Sequence, residues 1–289
     1  MDRWTKLVLR RHSLHRQRAA SQAPPIGRMW VGVGDRKMHV RYGGAASNPR
    51  VVVLVHGLAV SSLYMTPLLA HLVEDHRVLA PDLPGFGYTD GPWRGMRVEE
   101  LADWLGAFIE RMGLDAPLLV GNSMGCQTAV DLAVRRPELT RGVVLQGPTF
   151  DPFARNTPQQ MLRWIITSMI EPTSMGLVLM HDYARCGLRR LVGTFRHALG
   201  DPIERKLPKI QCPAMVVRGT SDRVISPLWA QRAAELLPQG LLRQVPGAAH
   251  TINYEAPLEL ARVIQPFVRR CYESSEYPGR VGGQARRAP

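Results

Sequence analysis

Short apolar runs alternate with amphipathic stretches along most of this 289-residue chain. The clearest run, RVVVLV at 50–55, has the continuous apolar character of a strand buried on both faces of a parallel sheet. Strands that alternate with helices predict an α/β fold with a doubly wound, mostly parallel sheet and helices on both faces. The other strand-like runs are at 77–80, 118–120, 142–145, 214–218 and 242–245.

Three segments depart from this alternation and define the predicted domain organisation. Residues 147–208 show no convincing buried strand, only helical stretches rich in methionine, and are predicted to form a helical lid inserted into the core. The core is assigned to residues 28–146 and 209–268, and it opens with a β-hairpin. Residues 1–27 are predicted to be a basic, disordered arm and residues 269–289 a flexible tail.

The net charge of +13 comes mostly from the two ends of the chain. Six basic residues and one acidic residue lie within residues 1–27, and five basic and two acidic residues lie within 269–289. Charge runs of this kind are typical of solvated tails. Because no nucleic-acid-binding motif accompanies them, we expect no nucleic-acid partner, and weak contact with an anionic membrane surface is the alternative. No apolar stretch predicts a span through a membrane.

Four scattered cysteines without a CxxC pair favour free thiols and a reducing compartment. The apolar core of the N-terminal segment, at 7–9, is too short for a secretory signal peptide. We therefore predict a cytoplasmic protein. His, Cys and Asp residues show no metal-ligand spacing, so no metal or other cofactor is expected. The sequence does not indicate an oligomeric state.

A serine stands between two glycines in GNSMG at 121–125, directly after a predicted strand and directly before a predicted helix. A nucleophilic serine must project from a sharp strand-to-helix turn, where close backbone contacts require small residues at Gly121 and Gly125. The start of the following helix also directs backbone N–H groups towards the site. This context predicts Ser123 as a catalytic nucleophile.

A base and an acid follow Ser123 in the chain, each after a strand. Asp222 follows the strand at 214–218, and His250 follows the strand at 242–245. Because the carboxyl ends of parallel strands meet at one edge of a sheet, we expect both side chains to join Ser123 in a catalytic triad. Asp151, which follows another strand, is an alternative acid.

The segment His56-Gly57-Leu58 ends the strand at 50–55 and lies at the same predicted edge. Its position suits an oxyanion-hole loop, in which the backbone N–H of Leu58 joins that of Met124. His56 and Gly57 are expected to shape this loop, His56 without transferring protons.

Five segments together resemble signature segments of the α/β-hydrolase superfamily, in the proper order over about residues 28–268. They are LVHGL, DLPGFGYTD, GNSMG, GTSDRV and GAAHTINYE. The resemblance implies an α/β-hydrolase fold in which Ser123 is the nucleophile, His250 the general base and Asp222 its orienting acid. It also implies that residues 147–208 are the lid.

Such a triad implies hydrolysis through an acyl-enzyme. The expected partner is a small, apolar ester or ketone substrate, with a carboxylic ester of modest size ranked first. Hydrolysis of C–C bonds, as in the enzymes of meta-ring fission, ranks second, because the chain lacks their HGxGPG loop and has Thr251 where they carry a tryptophan. A serine nucleophile argues against haloalkane dehalogenases and epoxide hydrolases, which use aspartate. Acyltransferase, haloperoxidase or perhydrolase, and ligand receptor stay open as further alternatives.

Overall fold

An eight-stranded sheet forms the centre of the computed structural model, which describes residues 2–14, 26–154 and 173–274. The strand order is β1-β2-β4-β3-β5-β6-β7-β8, and β2 runs antiparallel to both of its neighbours while the other pairs are parallel. The strands are β1 (Gly27–Val33), β2 (Arg36–Gly43), β3 (Val51–Val55), β4 (Arg77–Pro81), β5 (Leu118–Asn122), β6 (Gly142–Gln146), β7 (Ala214–Gly219) and β8 (Gly240–Val245). The predicted doubly wound, mostly parallel sheet is confirmed.

Helices cover both faces of the sheet. One face carries α3, α4 and α8, and the other carries α1, α2, α9 and α10, each layer closing over its own apolar cluster. The helices are α1 (Arg3–Leu14), α2 (Ser62–Leu72), α3 (Val98–Arg111), α4 (Met124–Arg135), α5 (Thr173–Cys186), α6 (Leu188–Gly200), α7 (Ile203–Lys206), α8 (Pro227–Leu236), α9 (Ile252–Glu255) and α10 (Pro257–Glu273). Short 3-10 turns occur at Pro137–Leu139, Pro152–Ala154 and Leu207–Lys209.

The central strands are buried along their whole length, as their continuous apolar sequences require. Every residue of β3, β5, β6 and β7 is buried, because helices cover these strands on both sides. The loops that follow them therefore meet at the carboxyl edge of the sheet, the usual place for a site in such a fold.

The N-terminal segment differs from the prediction of a disordered arm, which is wrong for residues 3–14. These residues form α1, and both Thr5 and Val8 are buried against α2 and its neighbours. The carboxylate of Asp2 lies 3.6 Å from the guanidinium of Arg41, a fully buried side chain that also donates to Ser62 Oγ at 2.8 Å. The many basic residues of this segment indicate a solvated arm, although Thr5 and Val8 between them are buried. Residues 15–25 lie outside the described part of the chain.

The C-terminal boundary also differs from the prediction. Helix α10 continues to Glu273, so residues 269–273 belong to the fold, and Cys271 is buried. The charged residues that predict a tail, Arg269, Arg270 and Glu273, lie on the exposed side of the last helical turns. Residues 275–289 lie outside the described residues.

Helices α5, α6 and α7 occupy most of the described chain between β6 and β7. Residues 155–172, part of the segment predicted as a lid, lie outside the described residues. In the described part of this segment the chain forms helices and no strand, as its sequence predicts. None of the described helices is long and apolar enough to cross a membrane.

Candidate active site

Ser123 occupies the sharp turn between β5 and α4. Its backbone has φ 55° and ψ −121°, a conformation that side-chain-bearing residues rarely adopt. A Cβ at Gly121 would lie 2.6 Å from the carbonyl oxygen of Gly125, and a Cβ at Gly125 would overlap the carbonyl oxygen of Val55. The turn therefore requires both glycines, and it projects the serine side chain from the sheet edge.

Asp222 and His250 form a hydrogen-bonded pair on the loops that follow β7 and β8. Asp222 Oδ2 lies 2.9 Å from His250 Nδ1, and both residues are buried. Asp222 Oδ1 accepts from the backbone N–H groups of Val224 at 2.7 Å and Ile225 at 3.1 Å. Because an ionised carboxylate only accepts hydrogen bonds, it favours the tautomer with the proton on Nδ1, which leaves the Nε2 lone pair able to accept a proton.

Gln146, the last residue of β6, connects this pair with the serine turn. Its carbonyl oxygen accepts from the Ser123 N–H at 3.0 Å, and its side-chain Nε2 donates to the His250 carbonyl oxygen at 2.7 Å. At Gly147 a Cβ would lie 2.8 Å from His250 Cε1, so only glycine leaves room for the imidazole. Sequence reasoning missed Gln146 and Gly147, although Gln146 ends a strand at the predicted edge and Gly147 follows it.

Two further side chains bear on the choice of acid. Arg218 is buried and donates to the carbonyl oxygens of Asp222 at 2.7 Å and Ile225 at 3.2 Å, which fixes the Asp222 loop. Burial lowers the pKa of Arg218. Asp151, the alternative acid, accepts from the backbone N–H groups of Phe153 at 3.0 Å and Ser226 at 3.3 Å.

His56 joins two loops at the sheet edge. Its Nε2 accepts from the Leu83 N–H at 3.0 Å, so the ring proton lies on Nδ1, which donates to the Gly57 carbonyl oxygen at 2.8 Å. The side chain is fully buried, and this burial lowers the pKa of His56. A neutral histidine with both nitrogens engaged has a structural part in this arrangement.

Met124 and Leu58, the two residues predicted to bind an oxyanion through their backbone N–H groups, both lie near Ser123. Met124 is the first residue of α4, and the first N–H groups of a helix have no acceptor within it. Leu58 follows Gly57, where a Cβ would lie only 3.3 Å from the Ser123 Cβ, so the loop lies directly against the serine. Donors in such positions can stabilise charge that develops on a carbonyl oxygen.

Cys126, in the first turn of α4, is a packing residue. It is completely buried, and its Sγ–H donates to the Gly121 carbonyl oxygen at 3.2 Å. Burial raises the pKa of this thiol well above its ordinary value, which keeps it protonated and unreactive.

Helix α5 is tied to the loop that follows β3. Ser61 Oγ donates to Asp182 Oδ2 at 2.7 Å, and His181 Nδ1 lies 2.8 Å from Asp182 Oδ1. Asp182 is buried, and Ser61 stands three residues beyond Leu58. Sequence reasoning missed this contact, since no local pattern connects residues so far apart in the chain.

Two arginines fix the same helical segment to the loop that follows β4. Arg185 Nε donates to the Gly87 carbonyl oxygen at 2.7 Å. Arg190 donates to three carbonyl oxygens of the loop, those of Gly85 at 2.9 Å, Pro92 at 2.9 Å and Gly91 at 3.1 Å. These bonds hold α5 and α6 against the carboxyl edge of the sheet.

No group of three His, Cys, Asp or Glu side chains within residues 2–14, 26–154 and 173–274 could hold a metal ion. The predicted site residues lie at the same edge of the sheet, on loops, at the end of β5 and in the first turn of α4.

Comparison with known proteins agrees with this architecture. A sequence model of the alpha/beta hydrolase family matches residues 52–263. The chain is 25% identical to 2-(acetamidomethylene)succinate hydrolase of Mesorhizobium japonicum, over 82% of this chain and 94% of the relative. It is 26% identical to haloalkane dehalogenase 2 of Mycobacterium tuberculosis, over 84% of this chain and 95% of the relative. A thermophilic esterase from Thermogutta terrifontis has a similar fold, with a TM-score of 0.68 and 21% identity over 85% of this chain and 99% of the esterase.

Proposed function

Because this chain belongs to the alpha/beta hydrolase family, we propose that it is a serine hydrolase that cleaves an apolar carboxylic ester of modest size through an acyl-enzyme. One observation carries the proposal. The Asp222–His250 pair, joined at 2.9 Å, and the turn that projects Ser123 are both bonded to Gln146 at the end of β6. A nucleophile, a base and an orienting acid are the groups that this chemistry needs.

The proposed reaction proceeds in two halves. Ser123 Oγ attacks the ester carbonyl carbon while His250 Nε2 takes its proton, and the N–H groups of Leu58 and Met124 bind the resulting oxyanion. Collapse of this intermediate breaks the bond to the alcohol, which leaves with the proton from His250. Water then attacks the acyl group after giving a proton to His250, and the acid departs as Ser123 recovers its proton. Asp222 stabilises the imidazolium in both halves.

The similarity to these relatives supports the proposal that this chain is a hydrolase. Their names give different reactions, so they do not indicate one substrate. A serine at position 123 favours esters over carbon–halogen bonds, since the haloalkane dehalogenases of this superfamily use an aspartate as the nucleophile. The solved esterase supports an ester substrate by its fold alone. Cleavage of C–C bonds stays the second candidate, and Thr251 after His250 is the observation that ranks it lower.

We further propose that α5 and α6 belong to a lid over the site. This lid favours substrates with apolar acyl or aryl groups. Supporting residues include Phe150 and Phe195, whose rings meet edge to face at 5.5 Å between α6 and the loop after β6. We also place the protein in the cytoplasm, since its four cysteines are free and buried, as expected in a reducing compartment.

Labelling with a fluorophosphonate probe tests the serine chemistry. We expect the wild-type protein to form a covalent adduct and Ser123→Ala to form none. For a substrate ester, Ser123→Ala should lower kcat by about 10³-fold or more while leaving the fold intact. Mass spectrometry of the adduct and circular dichroism of the variant make the two measurements. A wild-type protein that stays unlabelled would overturn the proposal.

A substrate panel then tests the bond that is cleaved. We expect turnover of p-nitrophenyl esters, with rates that rise from acetyl to medium acyl chains. Turnover of meta-ring-fission products in place of esters would select the C–C hydrolase. Labelling by the probe without turnover of either class would favour a transferase or a receptor.

A further inference from the structure

Helices α1 and α5 expose apolar side chains beside basic ones. On α1, whose Thr5 and Val8 face the core, the exposed residues include Leu7, which is 45% exposed, with Arg3 and Lys6 beside it. On α5 they include Leu177 and Met180, which are 49% and 71% exposed, and Arg185. We call these six residues the α1–α5 face.

Aromatic contacts make the α1–α5 face continuous. The rings of Trp4 on α1 and His181 on α5 lie 4.6 Å apart between centroids, and His181 lies 5.8 Å from Tyr88. The guanidinium of Arg185 stands 4.2 Å above the Tyr88 ring. Trp4, Tyr88 and His181 are partly buried, so each residue contacts both the protein and the solvent. Such amphipathic rings suit a boundary between water and an apolar phase.

The charges of the α1–α5 face all have the same sign. The described side chains of α1 and α5 include one carboxylate, that of Asp182. It is buried and bonded to Ser61 and His181. Asp2, just before α1, pairs with Arg28 and Arg41. The exposed part of the face therefore presents cations and apolar groups together, which complements a surface that is anionic and apolar.

We propose that the α1–α5 face binds the surface of a membrane that contains anionic lipid. Leu7, Leu177 and Met180 enter the boundary between headgroups and acyl chains, and Arg3, Lys6 and Arg185 bind lipid phosphates. Asp182 ties α5 to Ser61, three residues beyond Leu58, so the helix that carries part of this face is anchored to a loop of the candidate active site. The proposal concerns where the protein binds and goes beyond the bond that it cleaves.

Vesicle flotation tests this proposal with the full-length chain carrying Ser123→Ala, so that lipid hydrolysis cannot change the vesicles. We expect the protein to float with vesicles of phosphatidylcholine and phosphatidylglycerol, and to bind at least about tenfold less to phosphatidylcholine alone. Binding should weaken as salt is raised, because salt screens the charges of an exposed face. The result does not depend on the proposed function, since no turnover is measured.

Variants then locate the binding surface. The double variant Leu177→Asp, Met180→Asp and the variant Lys6→Glu should each lower vesicle binding by about tenfold or more, a change of about 1.4 kcal/mol or more in binding free energy. The matched control is Leu228→Asp, at a leucine that is 62% exposed on α8, on the other face of the sheet. This control should bind vesicles like the Ser123→Ala protein. Circular dichroism and thermal unfolding verify that each variant is folded.

Three outcomes would overturn the proposal. The first is no flotation with the phosphatidylglycerol vesicles. The second is an equal loss of binding in Leu228→Asp and in the double variant. The third is a wild-type dimer in analytical ultracentrifugation that the double variant dissociates, which would make the α1–α5 face an interface between two copies of the chain.

Discussion

At the scale of single residues, the acid that bonds to His250 decides which ring nitrogen carries the proton. Asp222 bonds to Nδ1 at 2.9 Å, whereas Asp151 accepts from the backbone of Phe153 and Ser226. An amide in place of the Asp222 carboxylate can donate to Nδ1 and so favours the tautomer with the proton on Nε2, which cannot act as a base.

We therefore expect Asp222→Asn to lower kcat for an ester by about 10³- to 10⁴-fold with little change in folding. The matched control is Asp151→Asn, which should change kcat by no more than a few-fold. Steady-state kinetics on purified variants with native circular dichroism make the comparison. A larger loss of kcat in Asp151→Asn than in Asp222→Asn would transfer the role to Asp151.

A second buried carboxylate, that of Asp82, stabilises the fold. It lies 2.8 Å from His39 Nδ1 and accepts from the N–H groups of Ser62 at 2.7 Å and Tyr88 at 2.9 Å. Burial by itself raises the pKa of Asp82, but the hydrogen bond and charge of His39 and the charge of Arg41 outweigh it. The pKa of Asp82 is thereby held well below its ordinary value.

Since the folded-state pKa of Asp82 is depressed, its contribution to stability is present above the ordinary carboxyl pKa and is lost as pH falls towards the folded-state value. We expect Asp82→Asn to lower the free energy of unfolding by roughly 3 kcal/mol at neutral pH. The gap between wild type and variant should narrow as the pH is lowered below about 4. Urea unfolding at several pH values measures it, and a gap that is constant with pH would contradict this account.

The residues that sequence predicted best are those with a local signature. Ser123 stands in a glycine-flanked turn, and the five residues 121–125 contain all that this turn requires sterically. Asp222 and His250 each follow a strand that its apolar sequence predicts. Gln146 and Asp82 carry no such signature, because their partners lie far away in the chain. Their roles depend on distances that only the folded chain defines.

At the scale of elements, Arg190 is the main fastening between α6 and the loop that follows β4. One guanidinium donates to the carbonyl oxygens of Gly85, Gly91 and Pro92, and also to that of Cys186 at 2.9 Å. A guanidinium is planar and has five N–H donors spread over three nitrogens, so it can reach several carbonyl oxygens at once. A lysine keeps the charge, but its single ammonium group cannot reach all of these oxygens.

We expect Arg190→Lys to loosen the loop around residues 83–92 and to lower the free energy of unfolding by about 1–3 kcal/mol. Hydrogen exchange of the backbone in this loop should quicken by more than exchange in β5 and β6, which changes only as far as the global free energy of unfolding falls. Arg189→Lys, at an exposed residue whose guanidinium stands over Trp93, is the matched control and should leave exchange in the loop unchanged. Equal exchange rates in wild type and Arg190→Lys would refute the fastening.

Elements were predictable to the extent that their periodicity was complete. The central strands and α3 follow from apolar patterns that a short window contains. Helix α1 did not, because its basic residues dominate the same window in which Thr5 and Val8 form a narrow buried face. The C-terminal end of α10 was missed for the same reason, since charged residues alternate there with the buried Cys271.

At the scale of the whole molecule, the four cysteines report on the integrity of the core. Each is buried with a free thiol, and Cys212 and Cys271 lie close enough to each other to interact electrostatically. Burial raises the pKa of Cys186 to about 11, and those of Cys212 and Cys271 to about 12.

We expect the native protein to react slowly with a thiol reagent such as Ellman's reagent, because the thiolate is the reactive form. Denaturant should expose all four thiols at once if the fold opens as a unit. The release of the coloured product, followed with and without urea, measures this. Rapid reaction of one thiol under native conditions would show that its part of the core opens separately.

Helix α1 has a consequence for how far this chain can be shortened. The family match begins at residue 52, after α1, and the fully buried guanidinium of Arg41 has partners on this N-terminal segment in Asp2 and Thr5. A buried charge that loses its partner costs several kcal/mol. A shortened chain that lacks residues 1–14 is therefore expected to be less stable, and replacement of Arg41 by an apolar residue should recover part of the loss.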